Sequence, residues 1–167
     1  MYSVTLLRDA AAGASLREEK TMGELLPATG AAAQSPQWAT ILLGGESCEG
    51  RCAIVELLAR HGDAAPCHIH SREDEFVYVV TGRVLVQVGE AVSSLGMGES
   101  LLLPRGYEHA ISAESPEARL LLIATPAGIE GYYRDLKEAR SDSDYDVERL
   151  ITVAARYGLT ITGPART

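Results

Sequence analysis

The chain is poor in cysteine, in lysine, in positive charge and in long apolar runs, and each shortage excludes something. Its 167 residues include only three cysteines, Cys48, Cys52 and Cys67. An odd number without framework spacing argues against a disulfide scaffold and for a reducing compartment. Cys48 and Cys52 stand four apart with no second Cys or His pair, so they read as small residues flanking a turn rather than a zinc knuckle. Lys20 and Lys137 are the only lysines against thirteen arginines, which reads as genomic composition bias. No apolar run approaches the ~20 residues that span a bilayer. The opening MYSVTLLRDAAAGASLREEK has no basic segment ahead of an apolar one, so no signal peptide is expected and the expected location is the cytoplasm. The net charge of −8 and pI near 5.0 disfavour a nucleic-acid binder, which needs a basic face. A small anionic substrate is still allowed, because a bound divalent cation inverts the local field.

What is present is an ordinary globular balance, 46% hydrophobic and 23% charged, in a length that suits one core with appended segments. Residues 2–7 suggest a short strand, and 21–37 an irregular Ala-, Gly- and Pro-rich connection. From Trp38 the pattern becomes a series of short strands between turn signals: WATILLG, CAIVELLA, CHIH, EFVYVV, RVLVQVG, EAVSSLG, SLLLP, RGYEHAISA and ARLLLIATP. No helical pattern of useful length interrupts residues 38–125, which favours an all-β sandwich or barrel over a parallel α/β sheet. After Pro126 the periodicity turns helical. IEGYYRDLKEAR predicts one helix. SDSDYDVERLITVAARYG predicts another, capped by Ser143, ended by Gly158, with Val147, Leu150, Ile151 and Ala154 as its apolar stripe. The expected organisation is an N-terminal extension over 1–37 that packs on the barrel or on a dimer partner, a β-barrel over 38–126, and a helical segment over 127–167.

The stretch Gly62–Gly82 carries the chemistry. His68 and His70 are two apart, so on a strand they face the same side, and an acid returning after a short turn can reach the same point. Converging nitrogen and oxygen donors from neighbouring strands make a metal site. Glu75 is favoured over its rival Glu73 because it begins the apolar strand. A second stretch, GESLLLPRGYEH, bends at Pro104 and Gly106 and brings His109 as a third nitrogen. His61 reads as a solvated loop residue, and Cys67, beside His68, as a packed thiol on the opposite face. Arg105, Tyr107 and Tyr78 are candidate substrate contacts, and Tyr132 and Tyr133 either cover the barrel mouth or pack the helix on the barrel.

These residues resemble the cupin superfamily. Its first motif, G-x5-H-x-H, a few residues, E, six residues, G, is met by Gly62, His68, His70, Glu75 and Gly82. Its second, G-x5-P-x-G-x2-H-x3-N, is met by Gly98, Pro104, Gly106 and His109, with Ala113 where the Asn would stand. The resemblance covers about residues 39–127 and implies a jelly-roll β-barrel followed by a C-terminal pair of helices. It also implies a divalent metal ion (Fe, Mn, Ni, Co, Cu or Zn) held by His68, His70, Glu75 and His109. A narrower similarity, to small cupins resembling quercetin dioxygenases, implies a dioxygenase acting on a small enolisable or polyphenolic substrate, with Glu75 as both ligand and catalytic base, in a homodimer. The alternatives are a non-redox isomerase, decarboxylase or polyketide cyclase built on the same site, and a non-enzymatic module that binds a small molecule.

Overall fold

The computed structural model describes residues 38–139 and 147–164. The expected strand over 2–7, the extension over 1–37 and the Ser143 cap lie outside these residues. Ten strands and two helices follow in order: β1 (Ala39–Leu43), β2 (Ala53–Arg60), β3 (Cys67–His70), β4 (Asp74–Thr81), β5 (Arg83–Val88), β6 (Ala91–Gly96), β7 (Ser100–Leu103), β8 (His109–Ala113), β9 (Glu117–Thr125), α1 (Ile129–Ala139), α2 (Val147–Arg156) and β10 (Leu159–Gly163). They build two five-stranded sheets, β1-β2-β9-β4-β7 and β10-β3-β8-β5-β6. All the strand pairings are antiparallel, as expected of strands joined by short turns. The two sheets face each other as a jelly roll, with the core between their inner faces. Val55, Val77, Val79, Val84, Val86, Leu103 and Leu120 are all buried there.

The turns follow from local chemistry. Gly82 joins β4 to β5 at φ 79°, and a Cβ there would collide with the carbonyl of Glu117 and come within 2.8 Å of Ala118 Cα. Only glycine satisfies both the left-handed backbone and the close approach. Gly106, also at φ 79°, closes the Pro104–Tyr107 turn, and its N–H donates to the carbonyl of His70 (2.8 Å), tying that turn to β3.

Two features differ from the sequence-based expectation. The segment after residue 126 is not helical to its end: Leu159–Gly163 forms β10, which pairs with β3 and extends the second sheet. Gly158, expected only to end a helix, also turns the chain back, and its carbonyl accepts from both the N–H (3.0 Å) and the hydroxyl (2.9 Å) of Ser71. The buried stripe of α2 is also rotated. Leu150, Val153, Ala154 and Tyr157 face inward to different depths, whereas Ile151 is 45% exposed. The reason is that α2 must meet both α1 and β10, and the stripe beginning at Leu150 serves both.

Candidate metal centre

The ladder of the second sheet sets three histidines side by side. His68 on β3 is the direct partner of His109 on β8, which in turn faces Val88 on β5, while Ile161 on β10 faces His68 from the other side. Directly opposed residues share a face, so Ile161, His68, His109 and Val88 form one inward row. His70, two residues along β3, joins that face beside Leu159. The ring centroids of His68 and His109 are 4.4 Å apart, those of His68 and His70 5.0 Å, and those of His70 and His109 5.2 Å. Glu75 reaches the same point from the opposite sheet. Its row on the first sheet is Ala53, Ala124, Glu75 and Leu103, and the two alanines leave space around the carboxylate.

Each imidazole is held by its Nδ1. That of His68 lies 2.7 Å from the carbonyl of Pro66, and that of His109 lies 3.0 Å from the carbonyl of Tyr107. A carbonyl only accepts, so in both rings Nδ1 carries the proton and Nε2 presents a lone pair. His70 Nδ1 instead lies 3.4 Å from Oε2 of Glu73. The Nε2 atoms of His70 and His109 are buried with no hydrogen-bond partner. They stand 3.5 and 3.6 Å from Oε2 of Glu75, long for hydrogen bonds but suited to donors that share a cation.

The electrostatics agree. Burial and the neighbouring His109 and His70 lower His68 to about 4, so its ring is neutral at physiological pH, as a ligand must be. Burial alone would raise Glu75, but the adjacent His109 and His70 bring it below its ordinary value. Burial opposes protonation of His70 too, yet the hydrogen bond to Glu73 and the charge of Glu75 raise it. One donor atom from each of His68, His70, Glu75 and His109 lies within 4.8 Å of the others. Orphaned, inward-facing Nε2 atoms beside one carboxylate fit a divalent transition metal, and this cluster could hold one.

The structure brings these four residues together and leaves the other candidates outside. Tyr78 is 40% exposed, because β4 turns Glu75, Val77 and Val79 inward and Phe76 and Tyr78 outward. Arg105 is exposed and engaged with Asp74, its Nη2 donating to Oδ2 at 2.6 Å. The ring of Tyr107 is exposed, and only its carbonyl serves the site. His61 is exposed, with Nδ1 3.2 Å from the carbonyl of Glu114, and Cys67 is buried on the outward parity of β3. Cys48 and Cys52 flank the β1–β2 connection with their sulfurs 4.0 Å apart.

Two residues matter more than their sequence context suggests. Glu73 lies in a charged turn, SRED, yet it is buried and serves His70. Tyr133 of α1 is buried against Trp38 and Tyr132, and both its burial and the charge of Glu75 raise its phenol well above the ordinary value. The packing of α1 on the barrel therefore places a tyrosine within electrostatic range of the site.

Residues 55–125 match the family model described as Cupin domain. The double-sheet domain of this chain is accordingly a cupin domain. Among solved structures, the chain is similar to a predicted oxalate decarboxylase from Thermotoga maritima, with 17% identity over 53% of this chain and 78% of that one and a TM-score of 0.51. It is also similar to KdgF from Halomonas sp., with 22% identity, 53% and 76% coverage and a TM-score of 0.49. A Thermus thermophilus protein matches at 25% identity over 66% of this chain and 98% of its own, with a TM-score of 0.48. No curated protein matches the chain. At 17% identity the likeness to the Thermotoga maritima protein concerns the fold and leaves the reaction open.

Proposed function

We propose that this chain is a metal-dependent cupin enzyme of a reducing cytoplasm, a dioxygenase for a small enolisable or polyphenolic substrate. The observation that carries it is the buried group of three imidazoles and one carboxylate with lone pairs turned to one point. His68, His70, Glu75 and His109 would hold one divalent ion, and Fe, Mn, Ni, Co, Cu and Zn all accept such donors. A redox-active ion there would supply the dioxygen chemistry. One carboxylate among four ligands leaves such a centre cationic, which suits an enolate or phenolate head. Among the described residues no arginine or lysine is buried, so a second anionic group on the substrate would meet no side-chain cation inside. Val77, Val88, Ile111, Leu159 and Ile161 instead offer apolar walls to an apolar body. Glu75 is the only ligand that can take a hydroxyl proton from the substrate without breaking the imidazole set, and we assign it the role of base.

The proposal includes a homodimer. Ile54, Ile123, Phe76 and Leu102 form one continuous row across the outer face of the first sheet, and Phe76 and Leu102 are 43% and 46% exposed. An apolar sheet face of this kind is what a second copy would cover.

Oxygen-electrode assays on protein loaded with each metal, against flavonols and enolisable diketones, test the reaction. The expected result is oxygen uptake with at least one redox-active metal and none with Zn. Absence of uptake with every metal overturns the dioxygenase. Turnover of the Zn form without oxygen would place the site among isomerases or lyases, and thermal stabilisation by substrate without turnover would make it a binding module.

A further inference from the structure

We infer that Glu73 is a positioning residue for the metal centre: its carboxylate fixes His70 and raises that ring's donor strength above that of His68 and His109. This rests on the reading of the four-residue cluster as a metal centre. The three rings are held unequally. His68 and His109 give their Nδ1 protons to main-chain carbonyls, at 2.7 and 3.0 Å, whereas His70 faces a side-chain carboxylate at 3.4 Å. Glu73 is 1% exposed although it sits between Arg72 and Asp74 at the end of the three-residue connection from β3 to β4. The turn that starts α1 comes close to it, since a Cβ on Gly128 would stand 3.2 Å from Oε1. That backbone, at φ 152°, belongs to glycine.

Burying a carboxylate is costly unless something specific holds it, and the neighbour that holds this one is a ring whose other nitrogen points into the cluster. A carboxylate on Nδ1 fixes the tautomer, fixes the ring plane and pushes electron density toward Nε2. A carbonyl does the first two and far less of the third. Glu73 therefore makes His70 the strongest nitrogen donor of the three. By adding a second negative charge beside the centre, it also favours the higher oxidation state of a bound redox metal. It touches neither the proposed ion nor the substrate, so its effect passes through His70.

The test compares wild type with Glu73→Gln, which keeps the shape and an acceptor oxygen but removes the charge. Glu130→Gln is the control. Glu130 is a buried glutamate away from the cluster, and it accepts from the N–H groups of Gly45 (2.9 Å) and Gly128 (2.7 Å). Competition with a chelator should show Co(II) affinity falling about tenfold to a hundredfold in Glu73→Gln and unchanged in Glu130→Gln. The potential of the iron-loaded protein should rise in the first variant alone. Equal Co(II) affinity and equal potential in wild type and Glu73→Gln would overturn the inference while leaving the metal centre standing. A wild type that binds no metal would instead remove the centre itself. If Glu73→Gln does not fold, proton NMR of the zinc-loaded wild type decides. The Nδ1 proton of His70 should resonate well downfield of those of His68 and His109, and three equivalent resonances would refute the inference.

Discussion

Both faces of the sheet β1-β2-β9-β4-β7 carry a row of apolar side chains through β4, yet the two rows stand in opposite conditions. On β4 the inward set, Glu75, Val77 and Val79, is 3% exposed or less, whereas the outward pair, Phe76 and Tyr78, is 43% and 40% exposed. An antiparallel sheet with one wet face normally alternates apolar and polar residues. EFVYVV does not alternate, so the polar face that would reveal parity is missing, and Tyr78 reads from sequence as a possible pocket residue when it lies outside. The inner face is apolar because it encloses the core and the site. On the outer face the apolar row of Ile54, Ile123, Phe76 and Leu102 is left partly exposed among the described residues, and the proposed dimer would supply the missing reason.

The largest effects should come from the inner face. If the cluster binds metal, a free-metal concentration about a thousandfold above Kd stabilises the fold by about 4 kcal/mol, and a chelator removes that gain. His109→Ala should lose about 3 kcal/mol of binding, about a hundredfold in Kd. Glu75→Asp should lose nearly as much as Glu75→Ala. Its carboxyl withdraws by about 1.5 Å from a point that it reaches only by crossing between the two sheets. The histidines, by contrast, share one ladder. Calorimetric titration with Co(II) or Ni(II) measures all three variants, and full affinity in Glu75→Asp would show that the sheets can close to follow the shorter side chain.

Substitution on the outer face should change assembly and leave the fold nearly untouched. Phe76→Ser with Leu102→Ser should convert the proposed dimer to monomer in analytical ultracentrifugation. Because both side chains are already half in water, the monomer fold should shift by no more than about 0.5 kcal/mol per substitution, with metal affinity unchanged. A monomeric wild type at tens of micromolar would remove the dimer from the proposal.

The same contrast explains how much could be read from sequence. Strand boundaries were legible because turns need glycine, proline and short polar runs, and glycines such as Gly82 and Gly106 stand where the backbone requires them. His68, His70, Glu75 and His109 were legible because strand parity and fixed spacing carry geometry. Three things were not. β10 starts only two residues after α2, so LTITG reads as the tail of the helical segment rather than as a strand of its own. The stripe of α2 depends on which partners the helix meets, and periodicity alone leaves the choice between two adjacent stripes open. Glu73 carries no sign of burial, because its neighbours Arg72 and Asp74 both read as solvated. The turn that begins α1, which comes close to its carboxylate, lies more than fifty residues later in the chain.

The smallest predicted effect lies one residue from Glu75, on the outer side of the same strand. Asp74 accepts from the backbone N–H (2.9 Å), Nε (3.2 Å) and Nη2 (2.6 Å) of Arg105. Those bonds hold its carboxyl at about 2 against an ordinary 3.8. A folded-state value below the unfolded one means that the carboxylate's contribution is complete above pH 3.8 and fades as the pH falls toward about 2. The pair is solvent-screened, so the contribution is small. Urea midpoints of chelator-stripped wild type and Asp74→Asn should differ by a constant amount between pH 7 and about 5 and converge below 3.8. The subtraction cancels the protonation of the cluster histidines, which both proteins share. A gap that persists undiminished into the acid range would mean that Asp74 holds the Pro104–Tyr107 turn through shape and not through charge. The turn's effect on His109, whose Nδ1 depends on the carbonyl of Tyr107, would then be insensitive to pH.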